Sequence, residues 1–173
     1  MERAARPDVP NEPDPAPLAR PARGWRAGVA AGLAAGLTSW LAMAWRGRRD
    51  AGAATIALNA PSHWLYGPRA VNQRGVSWRY TAPAVLIHFG SAVFWGVLHA
   101  HRRTGPAHPV RDAAASTATA AFVDLALTPR RLRPGFDQRL SPSGLAWVYG
   151  AFALGLLLSD RARARGRGPA SGG

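Results

Sequence analysis

The stretch YTAPAVLIHFGSAVFWGVLHAH, residues 80–101, runs for 22 residues without an acidic or arginine side chain. At about 1.5 Å of rise per residue, a helix of this length covers the roughly 30 Å of hydrocarbon in a bilayer. Segments 27–45, 113–129 and 140–159 have a similar apolar make-up. We therefore expect an all-α membrane protein with four transmembrane helices in a compact bundle.

The chain of 173 residues has room for one domain. We expect a disordered, proline-rich tail over 1–23, a four-helix transmembrane domain over 24–159, and a disordered tail rich in arginine and glycine over 160–173. An Ala-x-Ala pattern at 42–44 follows the first apolar run, as in a signal peptide. Acidic residues precede that run, which argues against cleavage.

The formal charge of +13 comes from 22 arginines, with no lysine, against nine acidic residues. A charge of this size could indicate nucleic-acid binding. Most arginines, however, lie at the ends of the apolar stretches, where anionic lipid headgroups attract them. We expect a lipid bilayer with anionic headgroups as the partner, and no nucleic acid.

The distribution of arginines does not decide the orientation in the membrane. With four spans, the two tails and the second connection share one side and hold twelve arginines, against ten on the other side. With so small a difference, the positive-inside rule does not favour either orientation. We expect both termini to be cytoplasmic, because an even number of spans with an uncleaved polar N-terminus is the commoner arrangement.

The segment 51–67, between the first two spans, is uncharged but interrupted by Pro61. It is too polar and too broken for a confident span. We expect an interfacial or re-entrant segment, in which His63 and Trp64 act as anchors near the headgroups.

Three motifs carry a resemblance to a known family: LNAPSHWLYG at 58–67, IHFGSAVFWG in the second span, and DLALTPRRLRPGF followed by RLSPSGLAWVYGAFALGL near the end. In these motifs and in its order of spans, the chain resembles the YagU-like small bacterial inner-membrane proteins. The resemblance covers residues 27–159. It implies a four-helix architecture in a bacterial inner membrane, and no particular chemistry, since such proteins have no established activity.

Gly28, Gly32 and Gly36 make a double G-x-x-x-G pattern on one face of the first span. Such a face lets another helix approach closely. Packing against a neighbouring span of the same chain is the favoured interpretation, because a four-span protein needs internal contacts first. The alternative is a specific contact in a homo-oligomer.

Asp124 is the only acid within a predicted span, and an Asp at the centre of such a helix costs about 2.5 to 3.5 kcal/mol on insertion scales. It is either a proton or cation site, or it reaches the interface and pairs with Arg130 or Arg131. His88, in the middle of the second span, is an interhelical hydrogen-bonding residue, a proton carrier, or a ligand of haem or a metal ion. Counting from the connection at 102–112 brings Asp124 and His88 to similar depth.

The depth count extends to three more polar residues, and the resulting polar layer consists of Thr38, Ser39, His88, Asp124 and Tyr149. We expect His88 and Asp124 to form a pair within this layer. The favoured function is a non-enzymatic four-helix bundle; the alternative is a small transporter or channel subunit whose polar path is lined by His88 and Asp124.

The sequence contains no catalytic motif, so no enzyme, metal site or cofactor is expected. His99 and His101 form an H-x-H pattern, but on a helix the two rings diverge by about 200°. Ser62 precedes His63 without an acid placed to orient the ring. The absence of cysteine excludes thiolate chemistry.

Overall fold

The structure is a computed structural model, and it describes residues 21–102 and 108–166. Every regular element within these two ranges is helical. The α-helices are α1 (Pro21–Ala51), α2 (Ala54–Asn59), α3 (His63–Tyr66), α4 (Trp78–Arg102), α5 (Pro109–Phe122) and α6 (Pro142–Arg165). Short 3₁₀ turns cover Ala60–Ser62, Gly67–Asn72, Arg130–Leu132 and Phe136–Gln138, and a π-helical turn covers Val123–Leu127.

Three helices are long and apolar enough to cross a membrane, namely Gly24–Ala51, α4 and α6, with 28, 25 and 24 residues. They contain the predicted first and second spans and all but the first two residues of the last. The expectation of an all-helical protein with membrane-length helices is therefore confirmed, and these helices suggest a membrane protein.

The third predicted span, 113–129, differs from the other three. Here α5 has only 14 residues, and the π-helical turn Val123–Leu127 follows it directly. The change of helix type comes just after an alanine- and threonine-rich run and ahead of Pro129, whose ring disfavours a helical conformation at the preceding residue. A bundle of four spans is not confirmed.

The centre of the fold is α1, which packs against α4 on one side and α6 on the other. A Cβ atom built on Gly28 or Gly32 would lie 2.5 Å from the Cα atom of Val97 or Val93 on α4. Gly96 of α4 returns the contact against the backbone of α1. The glycine face predicted on α1 thus packs inside the chain, which is the interpretation favoured from sequence.

Both ends of α6 differ from the predicted span 140–159. It begins at Pro142, because Ser141 caps it by accepting a hydrogen bond from the Gly144 N–H at 3.1 Å. It ends at Arg165, so residues 160–165 are helical where a disordered tail was expected. The remainder of both predicted tails lies largely outside the described residues.

The segment 51–67 consists of helices α2 and α3, of six and four residues, which are too short to cross a bilayer. Pro61 lies in the 3₁₀ turn between them. Ala57, Asn59 and Ala60 are fully buried, so this segment packs into the fold.

Exposed leucines mark the outer faces of the long helices. Leu33, Leu37 and Leu41 recur every four residues along α1, and each is about half exposed, at 47%, 53% and 60%. Since residues four apart share one face of a helix, they form an apolar stripe. In a membrane this stripe would contact lipid.

Candidate functional site

A cavity of about 300 Å³ lies between α1, α4, the π-helical turn and α6, and the connection around Pro134 closes one side of it. Its polar lining residues are Ser39, His88, Ser91, Asp124, Thr128 and Tyr149. Its aromatic lining residues are Trp64, Trp95, Phe136 and Phe152. This is the volume and mixture of apolar walls with few polar groups that small-molecule sites show.

Asp124 reaches the cavity from the π-helical turn. The turn is closed by the Thr128 N–H, which donates to the carbonyl of Val123 at 2.8 Å, five residues back. Such turns are rare and are often found at functional sites. The Tyr149 hydroxyl of α6 donates to Oδ2 of Asp124 at 3.2 Å.

Asp124 was expected either to serve a buried site or to pair with Arg130 or Arg131. Among the described residues, no arginine forms an ion pair with Asp124. Arg130 and Arg131 are exposed in the turn that follows. The carboxylate therefore faces a cavity and a tyrosine.

His88 reaches the cavity from the opposite wall, on α4. Its Nε2 atom lies 3.0 Å from the carbonyl oxygen of Gly36 and 3.3 Å from Oγ of Ser39. Because a carbonyl oxygen can only accept, Nε2 carries a hydrogen, and a neutral ring then has Nδ1 as an acceptor. Trp40 and Phe89 flank the ring at centroid distances of 5.1 and 5.3 Å.

The predicted polar layer is thus present in part. Ser39, His88, Asp124 and Tyr149 line one cavity, whereas Thr38 turns toward α6 and donates to the carbonyl of Ala151 at 2.7 Å. The predicted direct pair of His88 with Asp124 does not appear among the hydrogen bonds and ion pairs of the described residues. His88 bonds instead to residues of α1, and Asp124 bonds to Tyr149 of α6.

His63 and Trp64 were expected as interfacial anchors, and both contact other parts of the chain. His63 is only 8% exposed, and its Nδ1 atom lies 2.9 Å from the carbonyl oxygen of Ala60. Gly135, at φ +85°, lets the later loop lie against this ring without a side chain between them. Trp64 donates to the carbonyl of Arg133 at 2.8 Å, which ties the two connections together over the cavity.

The cavity has a side opening, which we call the lateral gap, between α4 and the π-helical turn. Leu86, Gly90 and Phe94 of α4 line it on one side, and Val123 lines it on the other. Trp64, Ile87, Ser91, Trp95 and Asp124 border both the gap and the cavity. The gap exists because α4 and α5 make far fewer contacts than the other neighbouring helices do.

A second polar cluster, not expected from the sequence, lies at the far end of the bundle. His99 is 1% exposed; its Nε2 atom lies 3.0 Å from Oδ2 of Asp160, and its Nδ1 atom lies 2.9 Å from Oγ of Ser116. Arg163 donates to the other oxygen of Asp160. We call these four residues the sealed cluster.

A sequence signal for the sealed cluster did exist. Asp160 stands one residue beyond the predicted last span, and His99 stands near the end of the second. Both ends lie on the same side of the membrane in a four-span topology. Because the predicted last span ends at residue 159, Asp160 was assigned to the tail, and its depth was not compared with that of His99.

In the described ranges, no group of three or more His, Asp or Glu residues could hold a metal ion. No protein-family model, curated protein or solved structure matches the chain.

Proposed function

We propose that the chain is a non-enzymatic integral membrane protein of four spans, a small transporter or channel subunit whose solute site is the cavity lined by His88 and Asp124. A YagU-like identity, a bacterial inner membrane and cytoplasmic termini belong to the same proposal.

The observation that carries the proposal is the convergence of polar side chains from four elements on one cavity. Ser39 of α1, His88 of α4, Asp124 of the π-helical turn and Tyr149 of α6 all border it. Ionisable groups inside a membrane are costly and are found mostly at solute or ion pathways. A bundle with only a structural role has no need for a cavity of this size, since protein interiors are close-packed.

The contacts of α5 support a fourth crossing. Ser116 lies beside His99 near the end of α4, while Asp124 lies beside Tyr149, deeper along α6. The chain then continues to Ser141, which contacts Asp50 at the opposite end of α1. A chain that leaves one end of the bundle and arrives at the other must run along its length.

The sealed cluster contains the residue types of a serine hydrolase, but its surroundings favour a structural role. Ser116 lies in the middle of α5, where backbone N–H groups donate within the helix. A hydrolase needs free donors next to its nucleophile to stabilise the oxyanion. This arrangement supports the non-enzymatic assignment.

Solute flux into proteoliposomes tests the proposed function. Proteoliposomes that contain the wild-type protein would be tested with labelled organic cations, organic anions and neutral solutes. They should take up at least one of these classes faster than protein-free vesicles do. His88→Ala and Asp124→Asn should each reduce that flux. Asp112→Asn, which removes a carboxylate from the first turn of α5 away from the cavity, should leave it unchanged. Flux of no solute class above protein-free vesicles would refute the function.

Arginines at the helix ends supply the proposed contact with anionic lipid. Arg48, Arg49 and Arg102 are exposed at the ends of α1 and α4. Headgroup attraction at such positions is worth about 1 kcal/mol per residue. Because four spans enclose little lumen, a continuous path through the membrane would require a homo-oligomer.

A further inference from the structure

We infer that the cavity takes a small organic cation with an apolar body, and that this ligand enters from the bilayer through the lateral gap. The inference rests on the proposed function and names the class of solute for the same site.

The charges around the cavity favour a cation. Asp124 is the only carboxylate among the lining residues, and no arginine is among them. Its one hydrogen bond in the described part of the chain comes from a neutral hydroxyl, that of Tyr149. A partly buried carboxylate without a counter-charge is costly, and a bound cation would supply that charge.

The hydrogen-bonding groups favour a ligand that donates or carries positive charge. Nε2 of His88 already donates to the carbonyl of Gly36, which leaves Nδ1 of a neutral ring as an acceptor. The Tyr149 hydrogen is used on Asp124, and the Trp64 N–H is used on the carbonyl of Arg133. These three donors are therefore occupied, while Nδ1 of His88 and Oδ1 of Asp124 remain as acceptors.

The aromatic walls favour an organic cation over a metal ion. Trp64, Trp95, Phe136 and Phe152 border the cavity beside Tyr149. The faces of such rings attract cations, and aromatic cages recognise quaternary ammonium groups. A metal ion would lose its hydration shell against these walls without enough oxygen or nitrogen ligands to replace it.

The lateral gap connects this site with the position of the lipid. Leu86 and Phe94, on the gap side of α4, are 74% and 58% exposed, and would face hydrocarbon in a bilayer. A ligand with an apolar body concentrates in the membrane and can pass between these side chains to Asp124 without crossing a polar surface.

Binding of benzyltrimethylammonium tests the class of ligand. We would titrate it into the full-length protein in nanodiscs of zwitterionic lipid, by calorimetry, beside phenylmethanesulfonate, an anion with the same aromatic body. The cation should bind and the anion should not. Asp124→Asn should weaken cation binding about tenfold or more, because it removes the negative charge that would face the trimethylammonium group. Asp112→Asn should leave it unchanged.

Two glycines test the route. Neither Gly90, in the lateral gap, nor Gly150, on α6, has an atom within 4 Å of a built Cβ, so both positions have room for a larger side chain. Gly90→Trp should slow association of benzyltrimethylammonium about tenfold in stopped-flow tryptophan fluorescence, since a bulky ring would narrow the entrance. Gly150→Trp, which does not border the cavity, should associate at the wild-type rate.

The outcomes separate this inference from the proposed function. The cation assignment would be overturned if the wild-type protein bound the anion as tightly as the cation, or if it bound neither probe. This comparison uses the wild-type protein alone, so it does not depend on the folding of a variant. Equal rates for Gly90→Trp and Gly150→Trp would overturn the lateral route. If the flux panel still shows transport of anions or neutral solutes, the proposed function stands while the inference fails.

Discussion

The molecule contains two His and Asp combinations of opposite character. In the sealed cluster, His99 and Asp160 touch at 3.0 Å, and their side chains are 0% and 1% exposed. Around the cavity, His88 and Asp124 each bond to a different helix and leave space between them. His99 and Asp160 bond to each other, whereas His88 and Asp124 each keep hydrogen-bonding groups that a ligand in the cavity could use.

The difference follows from how closely the surrounding helices pack. At the sealed cluster, α4, α5 and α6 come together, so the ring of His99 meets Ser116 on one edge and Asp160 on the other. At the level of Asp124, the π-helical turn replaces the α-helix and α4 stands apart. Both combinations consist of a histidine and an aspartate, so the packing of the helices separates a buried pair from two residues that border a cavity.

The largest expected effect is on the sealed cluster. Asp160→Ala should lower the free energy of unfolding by about 3 to 5 kcal/mol, because it leaves His99 and Arg163 without their buried partner. Unfolding in detergent by added SDS, followed by tryptophan fluorescence, measures this loss.

His101→Ala provides the control on the same helix. His101 is exposed and bonds only to the carbonyl of Val97, one turn back, so its loss should change stability by about 0.5 kcal/mol or less. An Asp160→Ala protein as stable as His101→Ala would show that the cluster is not a structural pair.

A smaller loss is expected at the glycine contact that holds α1 against α4. Gly32→Leu should cost about 1 to 3 kcal/mol or more, since even its Cβ would lie 2.5 Å from the Cα atom of Val93. The matched variant Gly150→Leu adds the same side chain where nothing lies within 4 Å and should be nearly neutral. Equal stability of the two in the SDS titration would place the face of Gly32 against lipid.

The smallest effect is the coupling between the two cavity residues. A double-mutant cycle of His99→Ala with Asp160→Ala should show a coupling energy of about 0.5 to 3 kcal/mol, because the two side chains touch. The cycle of His88→Ala with Asp124→Asn should be additive within about 0.5 kcal/mol, since the two share no partner. A larger coupling at the cavity than at the sealed cluster would reverse the comparison.

Apolar runs without charge predict the three long helices well, because length and hydropathy are local properties of the chain. The sequence also predicts the close packing at Gly28 and Gly32, since small residues spaced four apart lie on one face of a helix, whichever helix packs against that face. The π-helical turn Val123–Leu127 was not predicted, because Pro129 indicates where the helix ends but does not tell whether its last turn is α-helical or π-helical.

The site shows the same division. Depth along the helices brought Ser39, His88, Asp124 and Tyr149 to one level, because rise per residue is fixed. Depth does not fix rotation or separation of helices, so the direct pair of His88 with Asp124 was wrong. The contact of His63 with the later loop, through Gly135, was not predicted, because it depends on the fold and not on the local pattern.

Thiol labelling tests most directly whether the cavity is open and the other cluster sealed. The chain has no cysteine, so Ser91→Cys in the lateral gap and Thr117→Cys beside the sealed cluster would each carry one thiol. Thr117 is 7% exposed and its hydroxyl has no hydrogen-bond partner, so this change removes no bond. Maleimides react with the thiolate, which forms where water reaches the sulfur, and the cavity that Ser91 also borders has polar walls and room for water. N-ethylmaleimide should modify Ser91→Cys about tenfold faster or more than Thr117→Cys in proteoliposomes; equal rates would contradict the account.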